Sequence, residues 1–470
     1  MKIRFLPATA ASLAESGSSK AATSGTTALR RHFAVPDNFP ALRWRDGVRA
    51  AGAGRGHVTS LERRDTRQID QRRIKMKRIV IRKELSTLAF ALAVLLLRNA
   101  PAMAQVSAYQ RHDGVNAVVF RGTADNHIWE YSMAPGSNWQ RGDLFMGPCG
   151  KLPYVVYPVA ADSAPMGYVR ADNVNAVVYA GTDHYIHEQS LSPGRWCPDN
   201  LSTHQNPAAP PAAASAKPWG YVTYENTSAV VYRGSDAHIY QIERTSSGWQ
   251  STDLFHNEPA TPAATDPIGY VTVDHHDAAV FIGMNQHVYQ RERTIADGSD
   301  IVWLGTDLTK DANSYMTVPL AAPGTKPTAF VNSQGSNVAF TGTDGHIYLL
   351  IQADSQPWYP LDLTPNAPQE SLACSSPFEY RRSDSYYDIV YAGCSTNSYI
   401  FELASMDGMS WACYNLNAAA GGGWENGDPV AYVRSDNYNS VVYPEAFSTY
   451  IDELTYYPGG NWQHWVLTYR

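Results

Sequence analysis

Residues Gly167–Trp196 read GYVRADNVNAVVYAGTDHYIHEQSLSPGRW. The stretch opens on Tyr168 in a short extended segment, turns through polar residues, and enters the strongly β-forming run Val177-Val178-Tyr179. A turn at Gly181 leads into Tyr185-Ile186-His187-Glu188, and a last segment carries Trp196. Short Val-, Ile- and Tyr-rich runs separated by Asn, Asp and Gly are strand and hairpin signals. Four such strands joined by tight turns make one small antiparallel sheet.

The same unit recurs along the chain. Copies begin at Tyr109, Tyr168, Tyr221, Tyr270, Phe330, Tyr380 and Tyr432, a period of roughly 50–60 residues. Each contains a counterpart of the central strand, such as Val118-Val119-Phe120, Val230-Val231-Tyr232 and Val441-Val442-Tyr443. A glycine turn usually follows, as at Gly122, Gly234 and Gly283. Every copy places a tryptophan on its fourth segment: Trp139, Trp196, Trp249, Trp303, Trp358, Trp411 and Trp462. Pro/Ala-rich connectors such as Pro207–Pro218 carry the chain onward. One such sheet cannot bury both faces alone, and stacking copies around an axis solves this. A linear solenoid would use shorter repeats and need capping ends. The fold class is therefore all-β: a seven-bladed β-propeller of four-stranded antiparallel blades.

The sequence before the repeats is different. From Met76 it reads MKRIVIRKELSTLAFALAVLLLRNAPAMAQ, with a basic start, an apolar run over Leu85–Leu97, and Ala102-Met103-Ala104 before Gln105. That pattern is a secretory signal peptide, too short in its apolar part for a spanning helix. The expected organisation is a disordered extension at 1–75 that includes a mis-assigned start, a signal peptide at 76–104, and the propeller at 105–470. Secretion or periplasmic export follows, with no membrane insertion after cleavage.

The formal net charge of −7 hides a basic leader and an acidic body. An acidic body repels phosphate backbones, which argues against nucleic acid as a partner. Five cysteines without C-x-x-C or zinc spacing suit disulfides in an exported protein better than a metal site. Their odd number leaves at least one without an intrachain partner. The oligomeric state stays open.

The repeats resemble those of bacterial seven-bladed β-propeller lectins that bind fucose and related sugars, and more loosely the six-bladed fungal-type fucose lectins. The residues carrying the resemblance are the Y-V-R-x-D opening, the A-V-V-Y-x-G strand, the H-I-x-E strand and the closing W-x-x-x-D-L. They recur over essentially all of Val106–Arg470. The resemblance implies several shallow sugar pockets between adjacent blades, for fucose-like or O-methylated sugars. It also implies multivalent glycan or glycoconjugate partners and no cofactor.

Comparison of the copies with one another locates candidates. Blades 1, 2, 6 and 7 carry Arg111, Arg170, Arg382 and Arg434 after the first strand, and Glu130, Glu188, Glu402 and Glu453 on the third. Blades 3, 4 and 5 replace the Arg by Thr223, Thr272 and Asn332, and the Glu by Gln241, Gln290 and Leu349. Arg and Glu are kept or lost together. One reading is an ion pair, in which losing one partner strands the other charge. The other is a sugar site, with Arg donating, Glu accepting and an aromatic face packing on the sugar's C–H face. Six-bladed fucose lectins use such an Arg/Glu/Trp set, with the Arg elsewhere in the repeat. The candidate ligand-binding residues are Arg111, Glu130 and Trp139; Arg170, Glu188 and Trp196; Arg382, Glu402 and Trp411; and Arg434, Glu453 and Trp462. The tryptophans divide between core contacts and a minority lining pockets. The residue before the third-strand Ile or Val, such as His127, Tyr185 or His238, suits either a sugar pocket or plain turn packing.

Nothing in the sequence requires catalysis. A glycosidase needs one carboxylate pair that breaks the repeat symmetry, whereas these carboxylates recur in register. Ser405–Trp411 (SMDGMSW) approaches the sialidase-type turn once, and no nucleophile elbow, P-loop or H-E-x-x-H motif is present. The expected function is a lectin without catalytic residues or metal. The alternatives are a secreted propeller that binds a protein partner, and a propeller glycoside hydrolase.

Overall fold

The computed structural model describes residues 105–467, apart from segments at 147–156, 161–162, 206, 257–260, 297–299, 354–355, 366–370, 395–397, 424, 426 and 446–449. The extension and signal peptide read from the sequence lie outside the described residues. No helix among the described residues is long and apolar enough to cross a membrane.

The quoted repeat folds as one sheet. Met166–Val169, Asn175–Ala180, Ile186–Ser192 and Arg195–Asn200 pair in order, each antiparallel to the next. Seven such four-stranded sheets follow one another, each confined to a single repeat. Repeat and blade therefore coincide, and no blade is shared between the two ends of the chain. The first strands lie side by side around the axis, and Val106–Gln110 of blade 1 lies beside Val430–Val433 of blade 7. The ring is closed.

Position within the blade explains the sequence of each strand. The second strand has neighbouring blades against both faces, so the usual apolar–polar alternation is lost. All six residues of Asn116–Arg121 and of Asn175–Ala180 are buried. Their apolar side chains join clusters that each span two adjacent blades, such as Tyr109, Val119 and Ile128 with Val177 and Tyr179. The turn after the first strand needs a left-handed residue, supplied by Gly114, Asn173, Asn226, His275, Ser385 and Asn437, with φ between 58° and 77°.

Blades are also stitched by a repeated hydrogen bond. The first residue of a second strand accepts from a backbone N–H of the preceding blade: His112 to Asn175 at 2.7 Å, Tyr224 to Asp277 at 2.8 Å, and Ser383 to Asn439 at 2.8 Å. Ser435 N–H donates to Asn116 at 2.7 Å, so the blade 7–blade 1 seam is closed by the same device. Where blades approach most closely, a glycine is required. A Cβ on Gly167 would fall 2.1 Å from the ring of Tyr109 in the preceding blade. Cys374 and Cys394 form a disulfide, Cys197 is also disulfide-bonded, and Cys413 is free.

Candidate functional site

Each blade opens with an aromatic residue, and the residue two positions later ends up at the interface with the next blade. In blades 1, 2, 6 and 7 this residue is the arginine, which reaches over the second strand to the third-strand glutamate. The distances are 3.5 Å for Arg111–Glu130, 2.8 Å for Arg170–Glu188, 3.4 Å for Arg382–Glu402 and 3.4 Å for Arg434–Glu453. The ion pair read from the covarying letters is present in all four blades. The opening motif supplies a second carboxylate, for which sequence reasoning gave no role. Asp113, Asp172, Asp384 and Asp436 each hold the same guanidinium at 2.5–2.7 Å.

Two carboxylates of unlike burial thus fix each arginine. The aspartate side chains are 21–44% exposed, whereas the glutamates are at most 4% exposed. Burial pushes the Glu130 carboxyl up to about 7, with Arg111 opposing and Asp113 adding to the rise. Burial likewise raises Glu188, Glu402 and Glu453, and the adjacent arginine opposes it in each case. In blade 6 a further buried carboxylate, Asp388, lies 3.3 Å from Arg382. Burial and then the neighbouring Glu402 raise it strongly.

In blades 2, 3, 4 and 6 the third-strand position also accepts a hydrogen bond from the opening tyrosine. Tyr168 donates to Glu188 at 3.0 Å and Tyr380 to Glu402 at 3.3 Å. In the neutral blades Tyr221 donates to Gln241 at 2.7 Å and Tyr270 to Gln290 at 2.6 Å. Blade 5 lacks both halves, with Phe330 and Leu349 in these places, each buried. That covariation was visible in the sequence, since the only copy opening on Phe is the only one with Leu on the third strand.

The aromatic residue that faces each pair comes from the next blade, not from its own. The Arg111 guanidinium lies 5.8 Å from the Trp196 ring, and Arg170 lies 5.8 Å from the Trp249 ring. Trp139 of blade 1 lines the same cavity as Arg434 and Glu453 of blade 7. Arg382 lies 4.6 Å from Tyr456, whose ring packs against Trp462. Trp249, outside the candidates read from the sequence, thus faces Arg170, whereas Trp411 packs against the blade 5/6 cluster, where blade 5 carries Asn332 in place of an arginine. The physical reason is the ring itself: the first and third strands of one blade pack against the closing hairpin of its neighbour.

Three interfaces combine an Arg/Glu pair with a partly exposed tryptophan: 6/7 (Trp462), 7/1 (Trp139) and 1/2 (Trp196). A cavity of about 310 Å³ lies at 7/1, walled by Arg434, Asp436, Tyr438 and Glu453 on one side and Met133 and Trp139 on the other. That volume sits at the lower end of the range for small-molecule sites, roughly 300–1,000 Å³. At 1/2, Arg111 Nε and Glu130 Oε1 are buried and have no hydrogen-bond partner among the described residues.

The remaining interfaces are filled. Trp249, Trp303 and Trp358 are buried, at 4%, 8% and 1% exposure. At 3/4, Arg293 crosses from blade 4 to Glu225 and Glu243 of blade 3. At 5/6 the Ser405–Trp411 turn occupies the gap. Asp407 ties it internally by accepting from Ser405 Oγ at 3.0 Å and from the backbone N–H groups of Met409 and Ser410. Gln334 of blade 5 donates to the Asp407 carbonyl at 3.1 Å. The turn that approached a sialidase motif is thus a packing element. The recurrent histidines belong to turns as well, His127 bonding Asp143 at 2.8 Å and His346 bonding Asp362 at 2.9 Å.

No protein-family model and no curated protein sequence matches the chain. Solved structures do. A lectin from Burkholderia pseudomallei aligns with a TM-score of 0.53 at 13% identity, covering 77% of this chain and 98% of that one. A lectin from Aleuria aurantia in complex with alpha-methyl-L-fucoside aligns at a TM-score of 0.44 and 11% identity, over 78% and 94% of the two chains. The first of these likenesses concerns the fold and agrees with the propeller built above.

Proposed function

We propose that this chain is a multivalent, glycan-binding lectin whose sugar sites are the blade interfaces 6/7, 7/1 and 1/2. The observation that carries the reading is the 7/1 cleft, where Arg434, a buried glutamate and the face of Trp139 meet around one cavity. A neutral, partly deoxygenated hexose such as fucose has the matching chemistry. Its ring and hydroxyl oxygens accept from the guanidinium, its hydroxyls donate to carboxylate oxygens, and its C–H face packs on an indole. The likeness to lectin propellers supports the same class of ligand, with O-methylated sugars as the second candidates. Each site is shallow and binds weakly, because hydrogen bonds at an exposed site compete with water. Linked sites raise avidity by roughly 10²–10⁴-fold where their spacing allows simultaneous engagement. Function is then adhesion to glycan-bearing surfaces without turnover, and export through the sequence at 76–104 would bring the protein to them.

Equilibrium dialysis of the full chain against labelled methyl α-L-fucoside, with a glycan array beside it, tests the reading. The wild type is expected to bind several equivalents, and Trp139→Ala to lose one of them while keeping its fold. A folded chain that ignores the fucoside and the whole array sinks the proposal.

A further inference from the structure

We propose that the blade 2/blade 3 interface is a latent copy of the sugar site, held shut by Arg244 acting as a latch. This rests on the reading of the open interfaces as sugar sites. The fixed parts of the site are all there. Arg170 holds Glu188 at 2.8 Å and Asp172 at 2.6 Å, and its guanidinium lies 5.8 Å from Trp249, the same separation as Arg111 from Trp196. Yet Trp249 is buried and Trp196 is not.

A charge difference stands out at one position, the residue paired across the closing hairpin from the tryptophan. At the 1/2 interface it is Leu191, opposite Trp196. At 6/7 it is Tyr456, and at 7/1 the register places Met133 there. All three are uncharged. At 2/3 it is Arg244, opposite Trp249. Its guanidinium crosses the interface and pairs with Asp172, the carboxylate that already holds Arg170. The arm therefore spans the mouth of a site that is otherwise assembled, and it satisfies the carboxylate that a sugar would meet first.

The latch is of a kind that opens readily. Arg244 and Asp172 are 42% and 41% exposed, so their attraction is screened by water and salt. Removing it leaves no buried charge stranded, because Asp172 keeps Arg170. The ligand admitted would be of the same chemical class as at the open interfaces, a neutral sugar. One residue thus sets the valence of the ring. Arg293 holds the matching position in blade 4, opposite Trp303, but the interface it crosses has Thr223 and Gln241 in place of the Arg/Glu pair. Only 2/3 is both complete and closed.

Equilibrium dialysis of the full chain with labelled methyl α-L-fucoside counts the sites directly. Arg244→Leu, which installs the residue of the 1/2 interface, is expected to add one site to the wild-type number. The reciprocal Leu191→Arg, which places a guanidinium opposite Trp196 and within reach of the Arg111–Asp113 pair, is expected to remove one. An unchanged number in both variants, with the wild type binding, overturns the latch and leaves the open sites standing. A wild type that binds no fucoside overturns the sugar-site reading and the latch with it.

Discussion

Blades 6, 7, 1 and 2 and blades 3, 4 and 5 share strands, turns and core, and differ in what fills the seams between them. In the first arc the seam holds an arginine between a buried glutamate and a partly exposed aspartate. In the second the same depth is occupied by Tyr–Gln hydrogen bonds, by the Phe330/Leu349 contact, by Arg293, or by the Ser405–Trp411 turn. A ring of this kind is stable with either filling. The comparison teaches that the proposed site is not an addition to the fold. It is a seam where the scaffold keeps the buried acceptor and its cation but leaves the tryptophan face uncovered.

The sharpest way to break this comparison is to remove the cation. Arg382→Leu leaves Asp388 and Glu402 buried with no positive partner, and breaking a buried charge cluster costs about 3–5 kcal/mol. The counterpart in the neutral arc is Thr272→Val, which removes one bond to the His276 N–H and costs about 1 kcal/mol. Urea unfolding of the two variants reads the contrast. Adding Glu402→Gln to Arg382→Leu is expected to recover part of the loss. Equal losses for the two single variants would mean that the arcs do not differ in the way their seams are held.

A smaller effect separates the arcs by pH. Glu130 has its folded value near 7, above its ordinary 4.5, because burial disfavours the carboxylate. Between those limits the folded chain binds more protons than the unfolded one, so stability rises as pH falls through that window and the full penalty is present above it. The expected gain from pH 8 to pH 4.5 is up to about 3 kcal/mol for this group, and Glu130→Gln should flatten that part of the profile. Sugar affinity at 1/2 moves the other way, since a protonated Glu130 accepts less well. The neutral arc has Gln241, Gln290 and Leu349 at this position, none of which titrates, and contributes no such slope there.

The sequence made the blades legible because seven copies repeat the same alternation of strand, turn and tryptophan, and the copies check one another. It made the ion pairs legible because Arg and Glu appear and vanish together. It could not pair Arg111 with Trp196, since that contact depends on which hairpin the neighbouring blade presents, and the ring offset is a property of the closed structure. Arg244 was invisible for the same reason. A lone arginine near the end of a third strand reads as a solvated charge until the structure sets it against Asp172 of another blade. The Phe330/Leu349 pair, by contrast, stood in plain letters and needed only a search for a second covarying column.

That second column supplies the smallest effect and the finest test of the comparison. Tyr270 gives its hydroxyl to Gln290 in a wholly buried bond of 2.6 Å, and the amide in turn donates to Glu292 at 2.9 Å. Tyr270→Phe removes the donor and leaves the Gln290 carbonyl unsatisfied, which costs about 1–2 kcal/mol. Gln290→Leu added to it rebuilds the pair found in blade 5, where Phe330 and Leu349 pack without any polar atom. Replacing both partners by apolar groups of similar size is nearly neutral, so the double variant should unfold at close to the wild-type urea midpoint. A double variant less stable than the single one would show that the glutamine is held by more than its tyrosine, through Glu292 and the seam beyond it. A full recovery would show that the position tolerates any filling that leaves no polar atom unmatched. On that rule the buried glutamates of the other arc are kept for their arginines, and the arginines for what they face across the seam.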